Sequence, residues 1–202
     1  EAGWETISPG WASGLELRKL RAGGEWNKRP EGAFAFAERS ADGSIVGISF
    51  RDDNGCKGVA SNAKRGLIIP ASLHDLPDPV LIVEGASDVA ACGAMGMAAV
   101  GRPSNRSVAG LSELLKAREV LVVGERDGKS DGSWPGRDGA DGVAQNLAKD
   151  LKKPVAWTLP PHPFKDIREW TIRQLENSSL SDPTSLGQDL LGELRKVAES
   201  EF

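Results

Sequence analysis

The sequence has no tyrosine, two cysteines and two histidines among its 202 residues, and these scarcities exclude several kinds of site. Cys56 and Cys92 are isolated from each other, which argues against a disulfide scaffold and fits a reducing compartment. With only His74 and His162 beside them, no Cys/His spacing suits a zinc ion. No stretch approaches the roughly 18 apolar residues of a membrane helix, and none resembles a signal peptide. We therefore expect a cytoplasmic protein that has no membrane partner.

The composition is that of a globular chain, with 39% hydrophobic and 27% charged residues. A net charge of −4 argues against a protein that grips nucleic acid by bulk positive charge alone. The length allows one domain, or one domain with a smaller lobe. Because the sequence begins at Glu1 rather than at methionine, we expect it to be a piece of a longer protein.

Residues 1–77 are predicted to form a small β-rich lobe. Two apolar runs, 33–38 and 45–50, flank an Asp-Gly turn at 42–43, which is a strong hairpin signal. Further strands are predicted at 56–60 and 66–69, and a short helix is predicted near 15–20. Three prolines between positions 70 and 79 indicate a connector to the next region.

From Val80 onward the pattern alternates between strand and helix. Strands are predicted at 80–83, 97–100, 119–123 and 154–159, and helices at 88–95, 110–117, 139–152 and 165–175. This alternation predicts an α/β domain over residues 78–175, with a parallel sheet and helices on both of its faces. Residues 176–202 show helical spacing of leucines and are predicted to be a C-terminal helical tail or linker.

Glu84 follows the apolar strand 80–83 and precedes Gly85, which permits a tight turn into the next helix. The carboxyl ends of strands are where open α/β sheets collect their chemistry. A carboxylate there is costly unless it binds a cation or moves protons. The alternative is a purely structural role, in which Glu84 caps the following helix.

Two more acidic clusters follow strands of the same predicted sheet. Glu125 and Asp127 come after strand 119–123, where an extended backbone would aim both carboxylates at one point. Asp166 and Glu169 come after strand 154–159. Several oxygen ligands at one sheet edge suit Mg²⁺ or Mn²⁺. The alternative is that Asp127 and Asp166 are ordinary loop acids.

Together, the Val-Glu-Gly-x-x-Asp box at 83–88, the acid-x-acid at 125–127 and the Lys-Asp at 165–166 resemble the Toprim family. That fold is shared by bacterial-type DNA primases, type IA and II topoisomerases and some nucleases. The resemblance covers roughly residues 78–175. The preceding segment, 38–55, and the basic pair before the apolar run at 67–69 resemble the small lobe of primases from phages and mobile elements. Two departures are Glu125, where the family usually has Asp, and the displacement of the next acid to position 169.

The resemblance implies specific roles for these side chains. Glu84 would act in proton transfer or near the metal, and Asp88 would orient its neighbours beside Gly85. The implied metal ligands are Glu125, Asp127 and Asp166. The implied contacts to triphosphate or template are Lys57, Lys64 and Arg65.

The resemblance therefore implies a DNA primase catalytic core, a nucleotidyltransferase that joins nucleoside triphosphates into RNA primers on single-stranded DNA with Mg²⁺ or Mn²⁺. Such primases rely on a zinc-binding module and often a helicase, which we expect in the parent protein. The alternatives are a Toprim metal-dependent nuclease and a non-catalytic Toprim module that binds nucleic acid or a helicase. A topoisomerase would need a catalytic tyrosine, which only another domain could supply.

Overall fold

The computed structural model describes residues 10–12, 32–52, 54–104, 109–177 and 182–201. Its first part is a four-stranded antiparallel sheet in the order β1-β2-β3-β4. The strands are β1 (Gly10–Ala12), β2 (Ala33–Arg39), β3 (Ile45–Arg51) and β4 (Lys57–Val59). The hairpin predicted around the Asp-Gly turn is thus confirmed. The helix predicted near residues 15–20 lies outside the described residues.

The second part is a five-stranded sheet in the order β6-β5-β7-β8-β9. Its strands are β5 (Val80–Glu84), β6 (Ala99–Arg102), β7 (Val120–Val123), β8 (Val155–Thr158) and β9 (Glu199–Glu201). The first four are parallel and β9 is antiparallel to β8. The helices are α1 (Gly85–Ala94), α2 (Leu111–Leu114), α3 (Pro135–Leu151), α4 (Ile167–Asn177) and α5 (Pro183–Val197). A 3-10 turn spans Ala71–His74.

Alternation along the central strands divides the core into two layers. Leu81, Val83 and Leu121 pack toward α1, α4 and α5, whereas Val80 and Ile82 pack toward α2 and α3. Both faces of a strand are therefore buried, which is why β5 and β7 are continuous apolar runs. The predicted parallel sheet with helices on both faces is confirmed.

The structure moves several predicted boundaries. Helix α3 begins at Pro135 rather than 139, and β6 runs to Arg102 rather than ending at 100. The predicted strand at 66–69 consists only of isolated bridges, from Leu67 to Arg39 and from Ile68 to Gly101. The tail is helix α5 followed by β9, whose pairing to β8 was not predicted. Among the described residues, none of the helices combines the length and apolarity needed to cross a bilayer.

The bridge at Ile68 joins the small lobe to the parallel sheet. Its backbone N–H donates to the Gly101 carbonyl at 2.9 Å, and the Gly101 N–H donates back at 3.0 Å. Glycine suits this close approach, because a Cβ at Gly101 would lie 3.0 Å from the Gly85 carbonyl oxygen and 3.1 Å from the Ile68 Cβ, which is a tight contact. The two parts are thus held together beside the carboxyl end of β5.

Candidate active site

Glu84 ends β5, and Gly85 at φ +76° turns the chain directly into α1. The Glu84 side chain occupies the N-cap position but makes no capping hydrogen bond. It points instead toward the carboxyl edge of the sheet, where 23% of the side chain is exposed. The capping alternative therefore does not explain this residue.

Arg102 forms an ion pair with Glu84. It lies opposite Glu84 in the parallel register of β5 and β6, and its Nη2 donates to Glu84 Oε1 at 3.4 Å. The Arg102 side chain is fully buried, and burial is the main cause that lowers its pKa. A buried guanidinium needs a carboxylate partner, so Arg102 and Glu84 stabilise each other's charge.

Three further carboxylates converge beside Glu84. One oxygen each from Asp88, Glu125 and Asp166 lies within 4.8 Å of the other two. Asp88 comes from the first turn of α1, Glu125 from the loop two residues after β7, and Asp166 from the residue before α4. We call Glu84, Asp88, Glu125 and Asp166 the acidic edge; all four line one narrow recess.

Two of these acids also fix the local backbone. Asp166 Oδ1 accepts from the Glu169 N–H at 2.7 Å, and Glu169 Oε2 accepts from the Lys165 N–H at 2.7 Å. This reciprocal arrangement is a variant of the helix capping box. Asp88 Oδ1 accepts from the Arg168 N–H at 3.2 Å, which ties α1 to the start of α4. Both acids are thus positioned by rigid helix termini.

Glu125 and Asp127 have different partners. The Lys165 Nζ lies 3.0 Å from Glu125 Oε2, so the residue that departs from the family pattern forms an ion pair across the site. Asp127 Oδ1 accepts from the Gly136 N–H at 2.7 Å, at the beginning of α3. Asp127 is therefore outside the three-carboxylate cluster, although its charge still raises the pKa of Glu84.

The electrostatics of the acidic edge favour proton uptake or cation binding. Burial raises the pKa of Asp88 to about 8, with a further contribution from the Asp166 charge. Burial also raises the pKa of Glu84, against which the Arg102 charge acts. Like charges in a buried recess cannot all ionise without a counter-charge. A cation at this edge would relieve that repulsion.

A cleft of about 440 Å³ lies between the small lobe and the acidic edge. Glu84 and Glu125 line one wall, and Arg51, Lys57 and Arg65 line the other. Of the predicted basic residues, Lys57 and Arg65 are therefore brought to the cleft. Lys64 is exposed but does not line the cleft.

The sequence-based interpretation missed three charged residues of this site. Glu38 in β2 is only 2% exposed and pairs with Arg65. Arg102 pairs with Glu84, and Arg51 lines the cleft, where burial is the main cause that lowers its pKa and the Asp88 and Asp166 charges oppose that shift. The sequence offered one sign of these residues, because each is a charged residue inside or at the end of an apolar strand. Their partners could not be predicted, because they lie far away along the chain.

The fold combines an antiparallel lobe with an α/β sheet that carries acidic side chains at its carboxyl edge. Comparison with solved structures shows that primase catalytic cores have a similar fold. A DnaG primase catalytic domain bound to ssDNA superimposes with a TM-score of 0.58 at 16% identity, over 95% of this chain and 64% of that one. The Escherichia coli primase catalytic core gives a TM-score of 0.57 at 15% identity, over 94% of this chain and 65% of that one. The chain thus has the fold of a Toprim-type primase catalytic core, and it spans about two thirds of the length of these two matched chains.

The zinc-binding and RNA polymerase domains of the Aquifex aeolicus primase also match, with a TM-score of 0.55 at 12% identity. This match covers 92% of the present chain and 45% of the Aquifex chain. No family model and no curated protein matches the sequence. The predicted fold is therefore confirmed by three-dimensional similarity, at identities that establish the fold alone.

Proposed function

We propose that the chain is the catalytic core of a DNA primase, which joins ribonucleoside triphosphates into RNA primers on single-stranded DNA. The observation that carries this proposal is the acidic edge, with Asp88, Glu125 and Asp166 clustered beside Glu84 in one recess. Two of these acids, Glu84 and Glu125, also line the cleft that faces the small lobe. The fold of primase cores supports it. Phage or mobile-element origin, from the resemblance of the small lobe, is part of the proposal.

The donor set at the acidic edge fits a hard divalent cation. Carboxylate oxygens within 4.8 Å of each other, two of them on buried side chains, match the ligand preference of Mg²⁺ and Mn²⁺. We propose Glu125 and Asp166 as ligands together with Asp88, and the second oxygen of Asp127 as a further ligand. When bound, such ions offset charge on phosphate and orient the reacting oxygens.

Glu84 is suited to proton transfer. Its carboxylate is largely buried at a strand end, its pKa is raised by burial, and Arg102 keeps it within reach of the cleft. A general base works best when its pKa lies near the operating pH. We assign to the Glu84 carboxylate the acceptance of the proton from the attacking 3′-hydroxyl.

The opposite wall supplies the positive charge that a triphosphate or template backbone needs. Lys57 and Arg65 face the cleft, and exposed Lys64 extends the basic surface beyond it. Phosphate contacts of this kind position a nucleic acid without reading its sequence. Single-stranded DNA and nucleoside triphosphates are thus the proposed ligands.

The proposed partners are a zinc-binding module and a helicase in a longer cytoplasmic parent protein. One structural neighbour contains a primase zinc-binding domain, and another shows phage T7 primase domains with a lagging-strand DNA polymerase on an RNA/DNA hybrid. Restoring the zinc-binding module should raise primer synthesis above the feeble level that we expect from this fragment, whose net charge is −4.

The test is dinucleotide synthesis with Mg²⁺ or Mn²⁺ on single-stranded DNA, with Glu84→Gln as the decisive variant. This change is nearly isosteric, and we expect activity to fall by about 10²- to 10⁴-fold, the usual contribution of a general base. Glu119→Gln, an exposed residue next to the amino end of β7, is the control and should retain activity. An active Glu84→Gln protein would contradict the assignment.

One observation favours a second candidate, a Toprim module that binds nucleic acid or a helicase without catalysis. The Lys165–Glu125 ion pair neutralises one of the three clustered acids. Single-strand binding without any metal-dependent synthesis would support this candidate, whereas cleavage of labelled DNA would indicate the nuclease.

A further inference from the structure

Glu38 is a buried acid in the small lobe, away from the acidic edge. It is 2% exposed, and its carboxylate has two partners among the described residues. Oε2 accepts from the Gly66 N–H at 2.8 Å, and both oxygens accept from Arg65 Nε, at 3.0 and 2.8 Å. A carboxylate at this depth requires such pairing, so its position and that of Arg65 are coupled.

Arg65 uses only one edge of its guanidinium in this pair. Nε donates to Glu38, and neither Nη1 nor Nη2 has a hydrogen-bond partner among the described residues. The side chain is 51% exposed and lines the cleft. Two adjacent N–H groups of a guanidinium form a fork that matches two oxygens of a phosphate.

The backbone that carries Arg65 is held on both sides. The β2–β3 register shifts at Glu38, where β3 carries the extra residue Val46, and the Lys64 N–H donates to the Val46 carbonyl at 3.2 Å. A Cβ at Gly66 would lie 2.7 Å from the Arg39 carbonyl, so this close approach requires glycine. Beyond it, Ile68 bonds to Gly101 of the parallel sheet. The backbone of Arg65 is therefore fixed on the small-lobe wall of the cleft.

From this arrangement we propose that Glu38 is a positioning residue: it orients Arg65 so that the free fork binds phosphate oxygens of the nucleoside triphosphate in the cleft. The proposal rests on the proposed function and deepens it, because it selects Arg65 among the basic residues as the oriented phosphate ligand. Glu38 acts through Arg65 and does not touch the substrate.

The test measures binding of inorganic tripolyphosphate by calorimetry, without divalent metal, so that it reports the basic wall alone. Arg65→Ala should weaken binding about tenfold, as expected for charge-assisted hydrogen bonds. Glu38→Gln keeps the acceptor for the Gly66 N–H and should weaken binding about three- to fivefold. The double variant should match Arg65→Ala within about twofold, because the effect of Glu38 passes through Arg65.

Arg195→Ala is the matched control. Arg195 has the same 51% exposed side chain and an acidic partner, Glu119, but lies on α5 away from the cleft. It should bind tripolyphosphate like wild type. Thermal unfolding of each variant shows whether the variant is still folded. Binding by the double variant then tests positioning, because a purely structural role for Glu38 would weaken binding further in the Arg65→Ala background.

Three outcomes would overturn the proposal. Unchanged binding in Glu38→Gln would show that Arg65 needs no orientation, and tighter binding would show that Glu38 competes with phosphate for Arg65. Equal binding by Arg65→Ala and Arg195→Ala would remove Arg65 from the site. If tripolyphosphate binding depends on Glu38 as described but no dinucleotide is made, the inference stands and the proposed reaction fails.

Discussion

The two walls of the cleft carry opposite charges and neutralise them differently. On the small-lobe wall, Arg65 and Glu38 form a matched pair within one lobe. The other wall belongs to the acidic edge, where Asp88, Glu125 and Asp166 lie beside Lys165 and Arg168, and the Arg168 Nη2 lies 3.9 Å from Asp166 Oδ2. With Glu84 and its partner Arg102 included, the acidic edge and its ion-pair partners comprise four acids and three cations.

The small-lobe wall therefore has its buried carboxylate neutralised within the protein, whereas the acidic wall has an excess of negative charge. The small-lobe wall can be ordered in the free protein, because its buried carboxylate, Glu38, has a partner in Arg65. On the acidic wall the carboxylates repel one another, and a proton or a cation would relieve that repulsion. Burial, and then the charge of Asp166, raise the pKa of Asp88 there. Experiments that change one charge at a time should therefore affect the two walls unequally.

The largest effect should be the pH dependence of stability in protein treated with a chelator. The pKa of Asp88 is about 8 in the folded chain and about 3.9 when unfolded, so between these values the folded state binds the extra proton. Stability should therefore be greatest at the acid end and fall by up to about 1.4 kcal/mol per unit as pH rises toward 8. Urea unfolding at several pH values measures this slope.

Asp88→Asn should flatten that slope, and saturating Mn²⁺ should flatten it in wild type. An Asp88→Asn protein that retains the full pH dependence would show that another group is responsible. Arg65→Ala on the opposite wall should leave the slope unchanged.

The next effect concerns Mn²⁺ affinity. Asp166→Asn removes one charged ligand from the cluster while retaining an oxygen for the Glu169 N–H, so helix α4 keeps its cap. We expect about a 100-fold loss of Mn²⁺ affinity, equivalent to about 2.7 kcal/mol. Titration followed by Mn²⁺ electron paramagnetic resonance measures it. Wild-type affinity in this variant would refute the metal assignment of Asp166.

Asp127 should show a smaller, separable effect. Asp127→Ala loses the acceptor for the Gly136 N–H, which should cost about 1 kcal/mol of stability, whereas Asp127→Asn can keep that hydrogen bond. If Asp127 is also a ligand, both variants should bind Mn²⁺ less tightly, and only Asp127→Ala should unfold earlier. Equal Mn²⁺ binding by all three proteins would restrict Asp127 to its role at α3.

The smallest effect should come from Lys64, which is exposed and outside the cleft. Lys64→Ala should weaken single-stranded DNA binding only a few-fold and reduce the salt slope by less than about one unit. The Lys64→Ala, Arg65→Ala double variant should lose more, and thermal stability should change little for Lys64→Ala, because exposed charges contribute little to folding. Fluorescence anisotropy at several salt concentrations distinguishes the two proteins.

The elements that local pattern can specify were predicted well. Residues 80–83 of β5 and all of β7 are uninterrupted apolar runs, and Glu84 ends β5 at a glycine turn, so the positions of both strands follow from the sequence pattern. Strand β9 carries no apolar signal and is identified by its pairing with β8. Its existence depends on a distant partner, which local pattern does not contain.

The same reason separates the predicted from the unpredicted site residues. The i, i+2 argument placed Glu125 and Asp127 together, but Asp127 has a closer donor in the Gly136 N–H, nine residues away. Asp88 takes the third place in the cluster because α1 packs on α4, a contact between residues 80 apart in sequence. Glu38 and Arg65 likewise meet across 27 residues. The positions of these site residues are therefore determined by tertiary contacts, which local sequence patterns do not contain.

A chimera that replaces the small lobe has to retain residues 68–69 together with the α/β domain. The reciprocal hydrogen bonds of Ile68 and Gly101 make this segment an outer extension of the parallel sheet, next to β6. A graft that joins at the chain connector, residues 70–79, would remove that extension and leave the Gly101 backbone groups without their partners, close to Arg102 and Glu84. For module exchange, the working boundary therefore lies before Ile68, inside what the chain order alone assigns to the lobe. This boundary leaves Arg65 with Glu38 and Leu67 with Arg39.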